Sequence, residues 1–273
     1  MATCATPANL NERMRFFLTD THILSCLTQL RLPGMKAEYV RQDELWSTMD
    51  ALPFEERFLM LVNAEQNRRD NNKLAKNLRN AALLDKSADL RNVNYTPERK
   101  LDQKFIARIS DCHFIKEGRD LLITGPTGTG KTFFSSAIGA AACSLGYSVR
   151  AFKMHRLLID LNVRINDGTY IKALADLAKP DVLILDDFGM EHISPNFCRN
   201  FLEVIDERRY AGSKSFLITA QLPVSEWHAM MDDRTAADAI MDRLVNHDPY
   251  RLNLQGQSMR KLMSEPGVAV PAV

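Results

Sequence analysis

The run Gly125-Pro126-Thr127-Gly128-Thr129-Gly130-Lys131-Thr132 has the spacing G-x-x-x-x-G-K-[ST], which can hold a polyphosphate. Glycines carry no Cβ, so successive backbone N–H groups can turn inward around phosphate oxygens. Lys131 reaches the β- and γ-phosphates, the Thr132 hydroxyl sits on Mg²⁺, and Phe133 follows at the start of a helix whose N-terminus favours an anion. A second chemical stretch is Asp181-Val-Leu-Ile-Leu-Asp186-Asp187-Phe188-Gly189, an apolar strand that ends in two carboxylates. Carboxylates beyond the end of a parallel strand enter the same crevice as a phosphate loop. Asp186 is then placed to hold Mg²⁺, and Asp187 to orient an attacking water on the γ-phosphate. Together these residues point to Mg²⁺-dependent hydrolysis of a nucleoside triphosphate, ATP being the working substrate.

Other side chains are candidates for the same chemistry. Gln221, after the apolar run Ser215–Thr219, is placed to meet the γ-phosphate or its water, with Thr219 as the alternative. A polar turn before Pro223 would use the same residues. Arg243, in Ala239-Ile-Met-Asp-Arg-Leu-Val, and Arg260, in Gln257-Ser-Met-Arg-Lys, could each bring a guanidinium to developing phosphate charge, if need be from a neighbouring subunit. On the residues alone, a surface ion pair is the simpler reading of each.

These groups need elements to position them. Strand patterns cover 121–124, 147–153, 182–186, 215–219 and 250–254. Helical patterns lie between them at 132–145, 154–164, 170–178, 195–210, 223–230 and 236–245. Apolar strands alternating with helices indicate an α/β fold with a mainly parallel central sheet. Upstream, helices are expected over 13–30, 35–49 and 54–84, with Pro33-Gly34 as an interruption and Pro53 at a first helical position. The division expected is a small all-helical N-terminal domain at 1–84, a linker at 85–104, the nucleotide-binding domain at 105–262 and a disordered tail at 263–273. Residues 1–11 are expected to fray.

The third helix changes character along its length. Its second half carries Arg68, Arg69, Lys73, Lys76 and Arg79 against a single acidic residue, Asp70, with Leu74 and Leu78 at i, i+4 spacing. Such a run is either a surface for nucleic-acid phosphate or a solvated helix face.

Composition sets outer limits. The 273 residues are 45% hydrophobic and 25% charged, with a formal net charge of +1, so only a local basic patch could attract nucleic acid. The five cysteines show no C-x-x-C spacing, which argues against a zinc site or a disulfide framework. No run approaches the ~18 apolar residues of a membrane span, and the first residues lack a basic region followed by an apolar core. A cytoplasmic location and no membrane partner are the expectation.

Assembled, these segments resemble the IstB-like helper ATPases of insertion sequences, relatives of the DnaC-type helicase loaders within the AAA+ superfamily. The resemblance runs from about Leu27 to Lys261. It rests on Leu30-Arg-Leu-Pro-Gly-Met35, Leu52-Pro-Phe-Glu-Glu-Arg57, Ala64-Glu-Gln-Asn-Arg-Arg69, the phosphate loop and the acidic strand. Gln221-Leu-Pro-Val-Ser-Glu-Trp227 and Ala239-Ile-Met-Asp-Arg-Leu244 complete it. It implies a P-loop AAA+ module behind a helical domain, and ATP-dependent homo-oligomers assembled on duplex DNA without sequence preference. It further implies an ATP site at the subunit interface and a partner transposase that the assembly stimulates at selected targets. By the same likeness Arg243 matches a trans-acting arginine finger, Arg260 a second sensor and Gln221 a first sensor. Asp187 stands where many AAA+ ATPases have Glu, which implies slow hydrolysis, and Gln221 stands where Asn is commoner. A helicase loader and a nucleotide-switched DNA scaffold with negligible turnover are the alternatives.

Overall fold

The computed structural model describes residues 20–212 and 214–259. Arg260, residues 1–11, for which fraying is expected, the start of the helix expected from 13 and the tail expected at 263–273 lie outside the described residues. The chain divides into two compact units between Ala75 and Lys76.

The first unit is helical. Residues 20–29 form a helix, followed by α1 (Pro33–Glu44), a single turn at Trp46–Met49 and α2 (Phe54–Ala81), which runs past the division. Pro33 occupies the first turn of α1, where its missing N–H costs nothing. Gly34 reads as a turn residue in sequence but lies inside α1, and its reason is packing. A Cβ there would sit 2.7 Å from the Glu65 Cα, so only glycine lets α1 approach α2 this closely. The Gly34 N–H donates to Glu65 Oε2 at 2.7 Å, and Gln42 Nε2 donates to the Arg57 carbonyl at 3.0 Å. Helix α2 stops at Ala81 because Ala82 turns into the left-handed region, with φ 50°.

The second unit is a five-stranded parallel sheet in the order β2-β3-β4-β1-β5. Its strands are β1 (Leu121–Thr124), β2 (Val149–Lys153), β3 (Val182–Phe188), β4 (Ser215–Ala220) and β5 (Tyr250–Asn253). Helices α3 (Gln103–Ser110), α4 (Lys131–Ser144), α5 (Met154–Asn166), α6 (Tyr170–Ala178), α7 (Pro195–Tyr210) and α8 (Arg234–Val245) accompany them. This is the expected α/β fold with a parallel central sheet. The central strands β1, β3 and β4 are buried almost throughout, which explains their unbroken apolar runs. Register pairs Thr124 with Ala220, and Leu185 with Ile218, so the ends of β1, β3 and β4 open on one crevice.

In the second unit, three features depart from the sequence expectation. Residues 223–230 form two 3₁₀ turns, Val224–Glu226 and His228–Met230, instead of a helix. The cause is Trp227, which is fully buried with its ring centroid 4.5 Å from that of Phe188 and its Nε1 donating to the Leu222 carbonyl. Helix α3 and the turn at His113–Lys116 are additions to the expected elements. The segment 85–104 carries two 3₁₀ turns, Leu90–Asn92 and Pro97–Arg99, and buries Ala88, Val93 and Arg99.

Candidate nucleotide site

The phosphate loop joins β1 to α4. Gly130, at φ 94°, is the residue from which α4 starts, and Gly128 lies at φ 85°, a region glycine enters without strain. A Cβ on Gly128 would sit 2.2 Å from Ser258 Oγ, and one on Gly125 would sit 2.3 Å from the Leu254 carbonyl oxygen. The loop is therefore held between the sheet and residues 254–259, and alanine fits at neither position. Lys131 Nζ donates to the Gly125 and Pro126 carbonyls at 2.8 and 2.9 Å.

Thr132 and Asp186, far apart in sequence, meet at the base of the crevice. Thr132 Oγ1 donates to Asp186 Oδ2 at 2.9 Å, and Thr219 Oγ1 donates to Asp186 Oδ1 at 2.5 Å. Asp186 is 1% exposed. Its burial pushes its carboxyl above the ordinary value against the hydrogen bond from Thr219, and the neighbouring charge of Asp187 adds to the rise. The arrangement suits Mg²⁺. Among the described residues no group of three or more His, Cys, Asp or Glu could hold a metal alone. One hydroxyl and one carboxylate beside a phosphate loop nevertheless match an ion that takes its other oxygens from nucleotide and water.

Asp187 lies within a break in the β3–β4 register and sits at φ 63°, which turns it away from the line of the strand. Its N–H donates to Thr219 Oγ1 at 3.1 Å, and its carboxylate lies 3.7 Å from Lys153 Nζ at the end of β2. Gln221 reaches the loop directly, accepting from Thr127 Oγ1 at 2.8 Å. Of the two residues considered at the end of β4, Gln221 thus faces the loop and Thr219 fixes the carboxylates. A cavity of about 870 Å³ gathers Thr127, Gly128, Gly130, Lys131, Thr132, Phe133, Asp186, Asp187 and Gln221. Its remaining wall comes from residues that belong to no motif: the 84–99 segment, Lys153, Met190 and Met259. Lys153, a charge at a strand end on the crevice, is open to discovery from its position. Arg99 offers no local signal.

Arg243 is not among the residues lining this cavity. It lies on α8, ion-paired with Asp206 of α7 at 2.5 Å and donating to the Ala239 carbonyl. Of the basic run on α2, Arg69 is held by Glu65 at 2.8 Å and Arg68 lies 3.6 Å from the same carboxylate. Burial opposes the Glu65 charge, but the Arg69 side chain, the Gly34 N–H and Arg68 hold its carboxyl below the ordinary value. Lys73, Lys76 and Arg79 are exposed. Among the described residues no helix is long and apolar enough to cross a membrane.

Comparison with known proteins identifies a family of ATP-binding proteins. Residues 25–265 match the family described as IstB-like ATP binding protein. A Pseudomonas fluorescens protein named as an insertion sequence IS1162 ATP-binding protein is 41% identical over 206 residues, covering 75% of this chain and 87% of its own. An insertion sequence ATP-binding protein of Sinorhizobium fredii, y4uH, is 36% identical over 242 residues, covering 88% of this chain and 94% of its own. Among solved structures, the DnaC helicase loader superposes with a TM-score of 0.50 at 21% identity, over 62% of this chain and 98% of that one. This last likeness is one of fold.

Proposed function

The chain belongs to the IstB-like ATP-binding protein family, and from that premise we propose an ATPase that assembles on duplex DNA and serves an insertion-sequence transposase as its target-selecting, stimulating helper. The observation that carries the catalytic half is the chain of contacts Thr132–Asp186–Thr219–Asp187 at the mouth of the phosphate loop. It joins the ends of β3 and β4 to the first turn of α4 and supports a site that could hold a metal ion and orient a water.

In this reading the N–H groups of Gly128–Phe133 cradle the β-phosphate, and Lys131 exchanges its loop carbonyls for phosphate oxygens. Thr132 and Asp186 would hold Mg²⁺, which would supply neutralisation of phosphate charge. Asp187 orients the attacking water, and Lys153 beside it restrains the carboxylate until nucleotide is in place. Gln221, joined to the loop through Thr127, reports on the γ-phosphate. Arg243 leaves Asp206 to reach the nucleotide of a neighbouring subunit, which ties hydrolysis to assembly. No step is assigned to Arg260 beyond its likeness to a second sensor.

The DNA half rests on α2. Lys73, Lys76 and Arg79 present their charges to solvent, and Arg68 and Arg69, tethered at Glu65, belong to the same run. Phosphate contacts of this kind position a protein without reading bases, so binding is non-specific. The relatives named for insertion sequences support a transposase partner, and residues 1–84 are the part assigned to DNA and partner, with 105–262 as the motor. The likeness to a helicase loader concerns fold and adds no support to helicase loading.

The test is Lys131→Ala. DNA retention in ATP falls to the level seen without nucleotide; retention equal to wild type in ATP removes the nucleotide switch.

A further inference from the structure

Arg99 stands outside every motif in the sequence, yet its side chain is buried at the phosphate loop. The residue is 6% exposed and lines the nucleotide cavity. One terminal nitrogen donates to the Thr129 carbonyl at 2.7 Å and the other to the Asn94 carbonyl at 3.3 Å. The guanidinium carbon lies 5.6 Å from the centroid of the Phe134 ring, and Gly256 packs on the aliphatic stem, where a Cβ would come within 3.4 Å of Cγ. Its neighbours are neutral carbonyls and a ring face. No carboxylate among the described residues pairs with it.

Two physical consequences follow. A loop that aims its N–H groups at phosphate must aim carbonyls the other way, and buried carbonyls need donors. This loop finds them one by one. Leu254 N–H donates to Thr124 O, Lys131 to Gly125 O and Pro126 O, Met259 N–H to Gly128 O, and Arg99 to Thr129 O. Thr129 is flanked by Gly128 and Gly130, the two glycines whose left-handed conformations shape the cradle. Of the donors to the loop's carbonyls, Arg99 comes from the 84–99 segment, outside both the loop and the strands. The second consequence is electrostatic. Burying a guanidinium without a counter-charge is costly, and the expense is recovered when an anion occupies the adjoining space. The cavity that Arg99 lines is the one the phosphate loop opens on.

We propose that Arg99 is a positioning residue for nucleotide: it holds the Thr129 carbonyl outward so that the loop presents its N–H groups, and its charge, left uncompensated by protein, is completed by the polyphosphate. The proposal rests on the nucleotide-binding reading of the loop. Because Arg99 acts through the loop, its loss weakens binding of ATP and ADP alike. It also makes the 84–99 segment part of the binding site: nucleotide stabilises this segment, and the segment stabilises nucleotide by the same factor.

The experiment compares full-length wild type, Arg99→Met, Arg99→Lys and Lys131→Ala, with binding of a fluorescent N-methylanthraniloyl ATP read by titration and melting read without nucleotide. Met keeps the stem over Phe134 and removes both charge and donor. Wild type binds and Lys131→Ala does not. Arg99→Met weakens binding about tenfold or more, the scale of a lost charge-assisted hydrogen bond, while its melting temperature without nucleotide stays at or above wild type. Arg99→Lys, which keeps the charge but not the fork, falls between. A merely structural arginine gives the opposite pattern, with lower melting and unchanged affinity in the folded fraction, and that overturns the proposal. So does Arg99→Met binding within twofold of wild type. If Arg99→Met does not fold, the Lys variant decides on the same twofold limit. Failure of wild type to bind at all sinks the nucleotide-binding reading itself.

Discussion

Asp186→Asn is expected to make the protein more stable and less competent at once. The carboxylate is 1% exposed and is held by the hydroxyls of Thr219 and Thr132 at 2.5 and 2.9 Å. An amide of the same shape keeps both partners: its oxygen accepts from Thr219, and its NH₂ donates to Thr132 Oγ1. Charge-assisted bonds are worth about 1.5–3 kcal/mol against about 0.5–1.5 for neutral ones, so the exchange forfeits roughly 2–3 kcal/mol. Against this, burial of an ion costs several kcal/mol even after relaxation. The upward push on the Asp186 carboxyl, from burial first and then the Asp187 charge, says that the cost exceeds the hydrogen-bond gain. The net expected is about 1–2 kcal/mol in favour of Asn, which raises Tm by about 2–8 °C for a unit of this size. The pH dependence has a definite sign. With its folded pKa raised, Asp186 retains a proton in the folded chain where the unfolded chain has lost it, so its contribution to stability falls as pH rises through that window. The gap between variant and wild type therefore narrows as the solution is acidified. Thermal melts by circular dichroism in EDTA, across pH, measure this. Adding Mg²⁺ and ATP at about 100 times Kd returns about 2.7 kcal/mol to wild type and less to the variant, which reverses their order. An Asn variant that melts below wild type in EDTA at neutral pH refutes the reasoning.

Arg243→Ala is expected to leave ATP binding within about twofold and to lower hydrolysis by about 10³-fold or more, the range seen for trans arginines. Mixing it with Asp187→Asn subunits restores part of the phosphate release, and no restoration withdraws the trans assignment. Neutralising Arg68, Arg69 and Lys73 together is expected to weaken DNA binding and reduce the slope of log K against log salt by about 0.9 for each DNA phosphate no longer neutralised. A slope equal to wild type, measured by fluorescence anisotropy on one duplex, returns those residues to an ordinary solvated face.

What was legible in the sequence was local. The phosphate loop, the acidic end of β3 and the bounds of α6 and α7 depend on neighbours a few residues away, and the structure places them where the pattern does. Misreadings arise where distant contacts decide. Gly34 reads as a turn until Glu65 is known to press against it. Residues 223–230 read as a helix until Trp227 is seen drawn under Phe188. The 84–99 wall is polar and irregular in sequence because its order comes from burying Ala88, Val93 and Arg99 against elements remote in the chain. Lys153 lacks a motif and gains meaning only from standing 3.7 Å from Asp187. Arg243 pairs with Asp206 across two helices, a contact that no local pattern announces.

The most direct test of the central claim is the mass of the full-length protein on a duplex of about 50 base pairs, by light scattering coupled to size exclusion. The expected result is a multi-subunit complex with Mg²⁺–ATP and DNA together, which shrinks when ATP is omitted or Lys131 is replaced by Ala. The same mass with and without ATP contradicts a nucleotide-driven assembly on DNA.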